Sequence, residues 1–122
     1  MKGLQRIPDA ELEIMMVMWE ANSEVNSDYI MERLHKSWAK PTLLNLLNRL
    51  YDRGFVDFHK EGKFKIYSTK IRQEDYICSE SKSFLKKLHH NSIKSFIAAL
   101  CESNGITKKE LKELENFIKD VK

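Results

Sequence analysis

A chain of 122 residues with 42% hydrophobic and 32% charged side chains has room for one ordinary domain, or for one domain plus an appendage too small for its own core, and lies far from the composition of a disordered chain. No run approaches the ~18 to 20 consecutive apolar residues of a membrane span, and the N-terminus Met1 to Arg6 lacks an apolar signal core, so no membrane insertion is expected and the cytoplasm is the expected compartment. The net charge of +3 is unevenly spread: residues 1–32 hold two basic and seven acidic side chains, residues 33–72 ten and three, residues 73–122 nine and eight, which makes the middle third the candidate anion-binding surface.

The first periodic stretch, Glu11 to Glu20, carries Leu12, Met15, Met16 and Trp19 at i, i+3, i+4 and i+7, the stripe of an amphipathic helix opened by Pro8 and Asp9. Acidic residues there suit the positive end of the helix dipole. Asn26 is placed to cap a second helix over Ser27 to His35, with Val25 and Ile30 as its hydrophobic staple. A third helix opens at Pro41, buries Leu43, Leu46, Leu47 and Leu50, and stops at Gly54. At 100° per residue, Asn45, Asn48, Arg49 and Asp52 fall opposite the leucines, with Thr42 at the edge. From Phe55 to Ser68 the period becomes two, Val56 and Phe58 and then Phe64 and Ile66, around the polar hinge Lys60 to Lys63. Gly62 supplies the positive φ that a tight hairpin loop requires.

Three further helices follow: Gln73 to His89, Ser92 to about Glu102, and Lys108 to Val121. Thr107 and Glu110 form a capping box at the last of them. Their apolar faces, Phe84, Leu85, Leu88, then Phe96, Ile97, Leu100, then Leu111, Leu114, Phe117, Ile118 and Val121, make a poor independent core, because helices this short are marginal alone. Pairing two such arms about a two-fold axis buries them, so residues 73–122 are expected to form a helical dimerisation domain through Phe84, Leu88, Phe96, Ile97, Leu100, Leu111, Leu114, Phe117 and Ile118. Cys78 and Cys101 lack C-x-x-C spacing and are expected to pack as small hydrophobes.

Helix, helix, helix and hairpin in that order describe a winged helix-turn-helix over residues 1–72, so the expected fold is mainly α with a small β-hairpin wing, followed by the helical arm. The third helix, residues 41–53, would enter the major groove of double-stranded DNA. Asn45 and Asn48 suit bidentate bonding to adenine, Thr42 suits a base edge or a thymine methyl, and Arg49 a phosphate or guanine. Lys40 at the helix mouth and Lys60, Lys63 and Lys65 in the 60–65 wing would neutralise phosphates. No glycine-rich phosphate loop, G-x-S-x-G elbow or H-E-x-x-H motif is present, and the adjacent His89 and His90 diverge by about 100° on a helix, so neither catalysis, a metal nor a cofactor is expected.

The chain also carries the motifs Ala10-Glu11-Leu12-Glu13, Val17-Met18-Trp19-Glu20, Trp38 leading to Pro41-Thr42-Leu43-Leu44-Asn45-Leu46-Leu47-Asn48-Arg49-Leu50, Arg53-Gly54, and Gly62-Lys63 ahead of Tyr67. Through them it resembles the penicillinase-repressor (BlaI/MecI) family of bacterial winged-helix repressors over nearly its whole length. The resemblance implies a homodimeric transcriptional repressor on a pseudo-palindromic operator, controlling resistance or stress genes and inactivated by cleavage in the arm when a membrane sensor protease is triggered. The family's cleavage point falls on Ala99-Leu100, where neither residue matches the usual Asn-Phe. Pro41 stands where the family usually has a polar residue, Leu44 where it usually has Lys or Arg against the DNA backbone, and Asn45 where Thr is usual, which implies a different operator. A rival expectation is a winged-helix protein–protein interaction module without sequence-specific DNA binding, favoured by Leu44 and Asp52.

Overall fold

The computed structural model describes residues 5–121; Met1 to Leu4, on which most of the N-terminal signal reading rests, and Lys122 lie outside the described residues. In chain order the elements are α1 (Asp9–Ala21), α2 (Ser27–Arg33), α3 (Lys40–Asp52), β1 (Val56–Glu61), β2 (Phe64–Thr69), α4 (Gln73–His89), α5 (Ile93–Glu102) and α6 (Lys108–Asp120). The fold is the expected one, mainly α with a hairpin wing.

The α1 stripe differs from the expected one by a rotation of one residue. Glu11, Ile14, Met15 and Met18 are buried, whereas Met16 is exposed and Leu12 and Trp19 are only half-buried. Seven of the eight residues from Leu12 to Trp19 are apolar, so the periodicity does not fix the phase. Trp19 still anchors the chain: its indole Nε1 donates to the Ile71 carbonyl at 2.9 Å and its ring lies 5.9 Å from that of Tyr76. Asn26 caps α2 as expected, its Oδ1 accepting from the Tyr29 amide at 2.9 Å, with Val25 and Ile30 both buried. The helix ends at Arg33 rather than His35, because Leu34 turns extended to enter the core.

In α3, which starts one residue ahead of Pro41, Leu43, Leu47 and Leu50 are fully buried and Leu46 half-buried. Its end is a Schellman motif: the Phe55 amide donates to the Leu50 carbonyl (2.9 Å) and the Gly54 amide to the Tyr51 carbonyl (3.0 Å), with Gly54 at φ 84°. Nothing lies within 4 Å of where a Gly54 Cβ would be, so the glycine answers to backbone conformation and not to space.

The hairpin turns through only two residues, Gly62 and Lys63, so that Glu61 faces Phe64, Lys60 faces Lys65 and Phe58 faces Tyr67. Cross-strand partners share a face. Val56, Phe58 and Tyr67 therefore point inward, while Phe64 and Ile66 lie on the other face with Asp57, His59 and Glu61, so the two apolar pairs of the period-two pattern occupy opposite faces. The tight loop sets this parity, since a shift of one residue reverses every side chain. A further pairing was not legible in the sequence: Val25 and Tyr67 exchange two backbone hydrogen bonds (3.0 and 2.7 Å), tying the α1–α2 connection to β2.

The chain divides into two compact units, the first ending at Ser79 and the second beginning at Glu80. The first unit holds the core, built on Ile14, Met15, Ile30, Leu43, Leu47, Leu50 and Phe55. In the second unit no residue from 80 to 121 is fully buried. Phe84 and Phe96 meet edge-on at 5.6 Å, and the Thr107–Glu110 capping box closes with both of its hydrogen bonds (2.8 and 3.1 Å). Cys78 and Cys101 are exposed, not packed inside. Each follows shortly after the inward-turned residue of its helix, Tyr76 or Leu100, and is rotated outward.

Candidate nucleic-acid interface

The burial of Leu43, Leu47 and Leu50 dictates the opposite face of α3. Thr42, Asn45, Asn48, Arg49 and Asp52 are all exposed, and among the described residues no side chain hydrogen-bonds or pairs with Thr42, Asn45, Asn48 or Arg49. These groups are left with their full hydrogen-bonding capacity toward an external partner. Pro41 is exposed in the first turn. Leu44 is half-buried and packs against the core, so it is not the free apolar handle that the protein-binding alternative required.

Lys40 is held back: its Nζ lies 3.0 Å from Asp28 Oδ1, an exposed pair that joins α2 to α3. In the wing, Lys60 and Lys65 are direct cross-strand neighbours and Lys63 is in the loop beside Gly62 at φ 63°. Among the described residues no carboxylate pairs with any of these three. Like charges directly opposite on a hairpin repel, which favours an anion between them. The wing's acidic residue is engaged elsewhere: Glu61 Oε2 lies 2.8 Å from His59 Nε2, and this hydrogen bond, with Glu24 nearby, holds the His59 pKa above its ordinary value.

Two positioning interactions escaped sequence reasoning. Glu11, buried in α1, accepts a 2.8 Å hydrogen bond from Arg53 Nη1 at the end of α3. An aromatic series joins α3 to the wing, with Tyr51 4.9 Å from Phe58 and Phe58 5.8 Å from Tyr67, ring centre to ring centre. Ring types at 51, 58 and 67 were the available signal, but only the observed register brings them together.

In the second unit, Phe84, Leu88, Phe117 and Ile118 are exposed, and Phe96, Ile97, Leu100, Leu111 and Leu114 are half-buried. The Ala99–Leu100 peptide lies inside α5. Among the described residues no group of three His, Cys, Asp or Glu is placed to hold a metal ion, and no helix is long and apolar enough to cross a membrane.

Residues 7–120 match the model of the penicillinase repressor family. The chain belongs to this family. The penicillinase repressor of Bacillus licheniformis is 32% identical over 124 aligned positions, which cover all of this chain and 96% of that one. The methicillin resistance regulatory protein MecI of Staphylococcus aureus is 28% identical over 113 positions, 92% of each. Among solved structures, the Bacillus licheniformis BlaI monomer in complex with the blaP half-operator is 36% identical with a TM-score of 0.52, over 62% of this chain and 94% of that one. A penicillinase-repressor family member is a regulator and not an enzyme, in keeping with the lack of catalytic motifs in the sequence.

Proposed function

We propose that this protein is a DNA-binding transcriptional repressor of the penicillinase-repressor type, acting in the cytoplasm as a homodimer on a pseudo-palindromic operator. The observation that carries the reading is the exposed amide and hydroxyl face of α3, unpaired among the described residues and flanked by Lys60, Lys63 and Lys65 on the wing. That arrangement suits base edges in the major groove for Thr42, Asn45, Asn48 and Arg49 and phosphates for the lysines. Lys40 would leave Asp28 for a phosphate or act through it to steady α3. The BlaI half-operator complex supports the same mode in a relative.

The division of labour is residues 1–72 for DNA and 73–122 for dimerisation. What supports the second half is its unburied surface: Phe84, Leu88, Ile93, Phe117, Ile118 and Val121 are 40 to 66% exposed in a single chain. A second arm would cover them and set two recognition helices one DNA turn, roughly 34 to 36 Å, or a multiple apart. Inactivation by a membrane sensor protease would act at Ala99–Leu100, and because that bond lies within α5, cutting requires the helix to open first.

The test is fluorescence anisotropy with the intergenic duplex upstream of the protein's own gene and a scrambled duplex of equal length, each at two salt concentrations. Preference for the upstream duplex with affinity falling steeply as salt rises supports the reading. Equal affinity for both duplexes contradicts it.

A further inference from the structure

We propose that Phe58 is a positioning residue that fixes the wing lysines relative to the recognition helix, an inference that rests on the DNA-binding reading above. Phe58 is half-buried between two tyrosines: Tyr51, in the last turn of α3 and exposed, at 4.9 Å, and Tyr67, buried on β2 as its cross-strand partner, at 5.8 Å. The Lys65 ammonium lies 4.5 Å from the centre of the same ring. One aromatic side chain therefore touches the helix, the second strand of the wing and a wing lysine.

The register explains the geometry. Lys65 is the diagonal neighbour of Phe58 on the inward face, and Lys60 is the direct neighbour of Lys65 on that face. Both lysines thus project from the side of the hairpin that packs toward α3, and not from the outer side that carries Asp57, His59 and Glu61. Left alone, two facing ammonium groups on flexible four-carbon stems would splay apart. The negative face of the Phe58 ring holds one of them without neutralising it, which keeps its charge available to a phosphate. Because the ring also abuts Tyr51, the spacing between the base-reading side chains of α3 and the phosphate-binding pair of the wing is set by a tilted ring-to-ring contact, and not by the hairpin backbone alone.

The two tasks of the interface should then separate on substitution. In Phe58→Leu the core volume is largely kept but the ring is lost, so Lys65 is released. The slope of log affinity against log salt should become shallower by about 1, the amount expected for one lost phosphate contact. The ratio of affinities for the upstream duplex and a scrambled one, set by Asn45 and Asn48, should stay within about threefold. Phe58→Tyr, which keeps the ring, should behave as the native protein, and Lys65→Gln should flatten the slope in the native background but not further in Phe58→Leu. Thermal unfolding of each variant keeps a folding defect apart from the effect. A native slope in folded Phe58→Leu, or full additivity of the two substitutions, would overturn the proposal. Salt-insensitive binding by the unsubstituted protein would instead remove the DNA-binding reading, and the proposal with it.

Discussion

Glu11 of α1 is 1% exposed in its side chain, and its only route to charge compensation among the described residues is the guanidinium of Arg53, 2.8 Å away at the C-terminal cap of α3. Arg53 is 38% exposed, so the pair is a buried carboxylate met by a partly solvated cation. It clamps the end of α3 to α1. Removing the cation strands the carboxylate, and Arg53→Met is expected to destabilise the fold by about 2 to 4 kcal/mol, toward the lower part of the range for fully buried pairs because solvent already reaches Arg53. The double variant Glu11→Leu, Arg53→Met should recover most of that loss in urea unfolding.

The same pair explains what the sequence concealed. The sets 11, 14, 15, 18 and 12, 15, 16, 19 have identical helical spacing, and the second is uniformly apolar while the first opens with a carboxylate. Hydrophobicity selects the wrong set because Arg53, 42 residues away, makes burial of Glu11 tolerable. Helices whose polar faces are clean, α3 and α6, were legible to within a residue or two, as were the Asn26 and Thr107 caps. The inward partner of Phe58 was not, since a two-residue loop pairs it with Tyr67 whereas a four-residue loop over Lys60 to Lys63 would pair it with Lys65. The exposed polar face of α3 was fully legible from the leucine spacing, whereas the contacts that hold the helix in place, Glu11 to Arg53 and Tyr51 to Phe58, depend on tertiary register.

Gly54 tests the cap of α3. With φ at 84° and open space around it, Gly54→Ala meets no atom and should cost only the left-handed backbone penalty, about 1 to 2 kcal/mol, seen as a lower urea midpoint with an unchanged slope.

His59 should titrate above the ordinary histidine value of about 6.5, because its ring is hydrogen-bonded to Glu61 and lies near Glu24. A raised folded-state pKa stabilises the protein fully below the unfolded value, and that contribution disappears as pH rises through the folded pKa. Proton NMR should show the raised midpoint, and Glu61→Gln should bring it down. An unmoved midpoint in Glu61→Gln would mean that the hydrogen bond is not its cause.

The exposed arm makes a prediction about assembly. Phe117→Glu with Ile118→Glu places two charges on the apolar face of α6, where both residues are more than half exposed in the single chain. Sedimentation should shift from dimer to monomer while the thermal transition of the first unit persists. A native protein that sediments as a monomer at micromolar concentration would remove the dimer.

The central claim is that α3 reads base sequence, and the most direct measurement is the affinity of Asn45→Ala, Asn48→Ala for the upstream intergenic duplex beside the unsubstituted protein at two salt concentrations. Both side chains are exposed and unpaired among the described residues, so the variant should fold as before. Each lost bidentate contact is worth about 1 to 3 kcal/mol of discrimination, so preference over scrambled DNA should vanish while the salt slope, set by the lysines and Arg49, stays the same. Undiminished preference in the variant would contradict a base-reading role for these two residues.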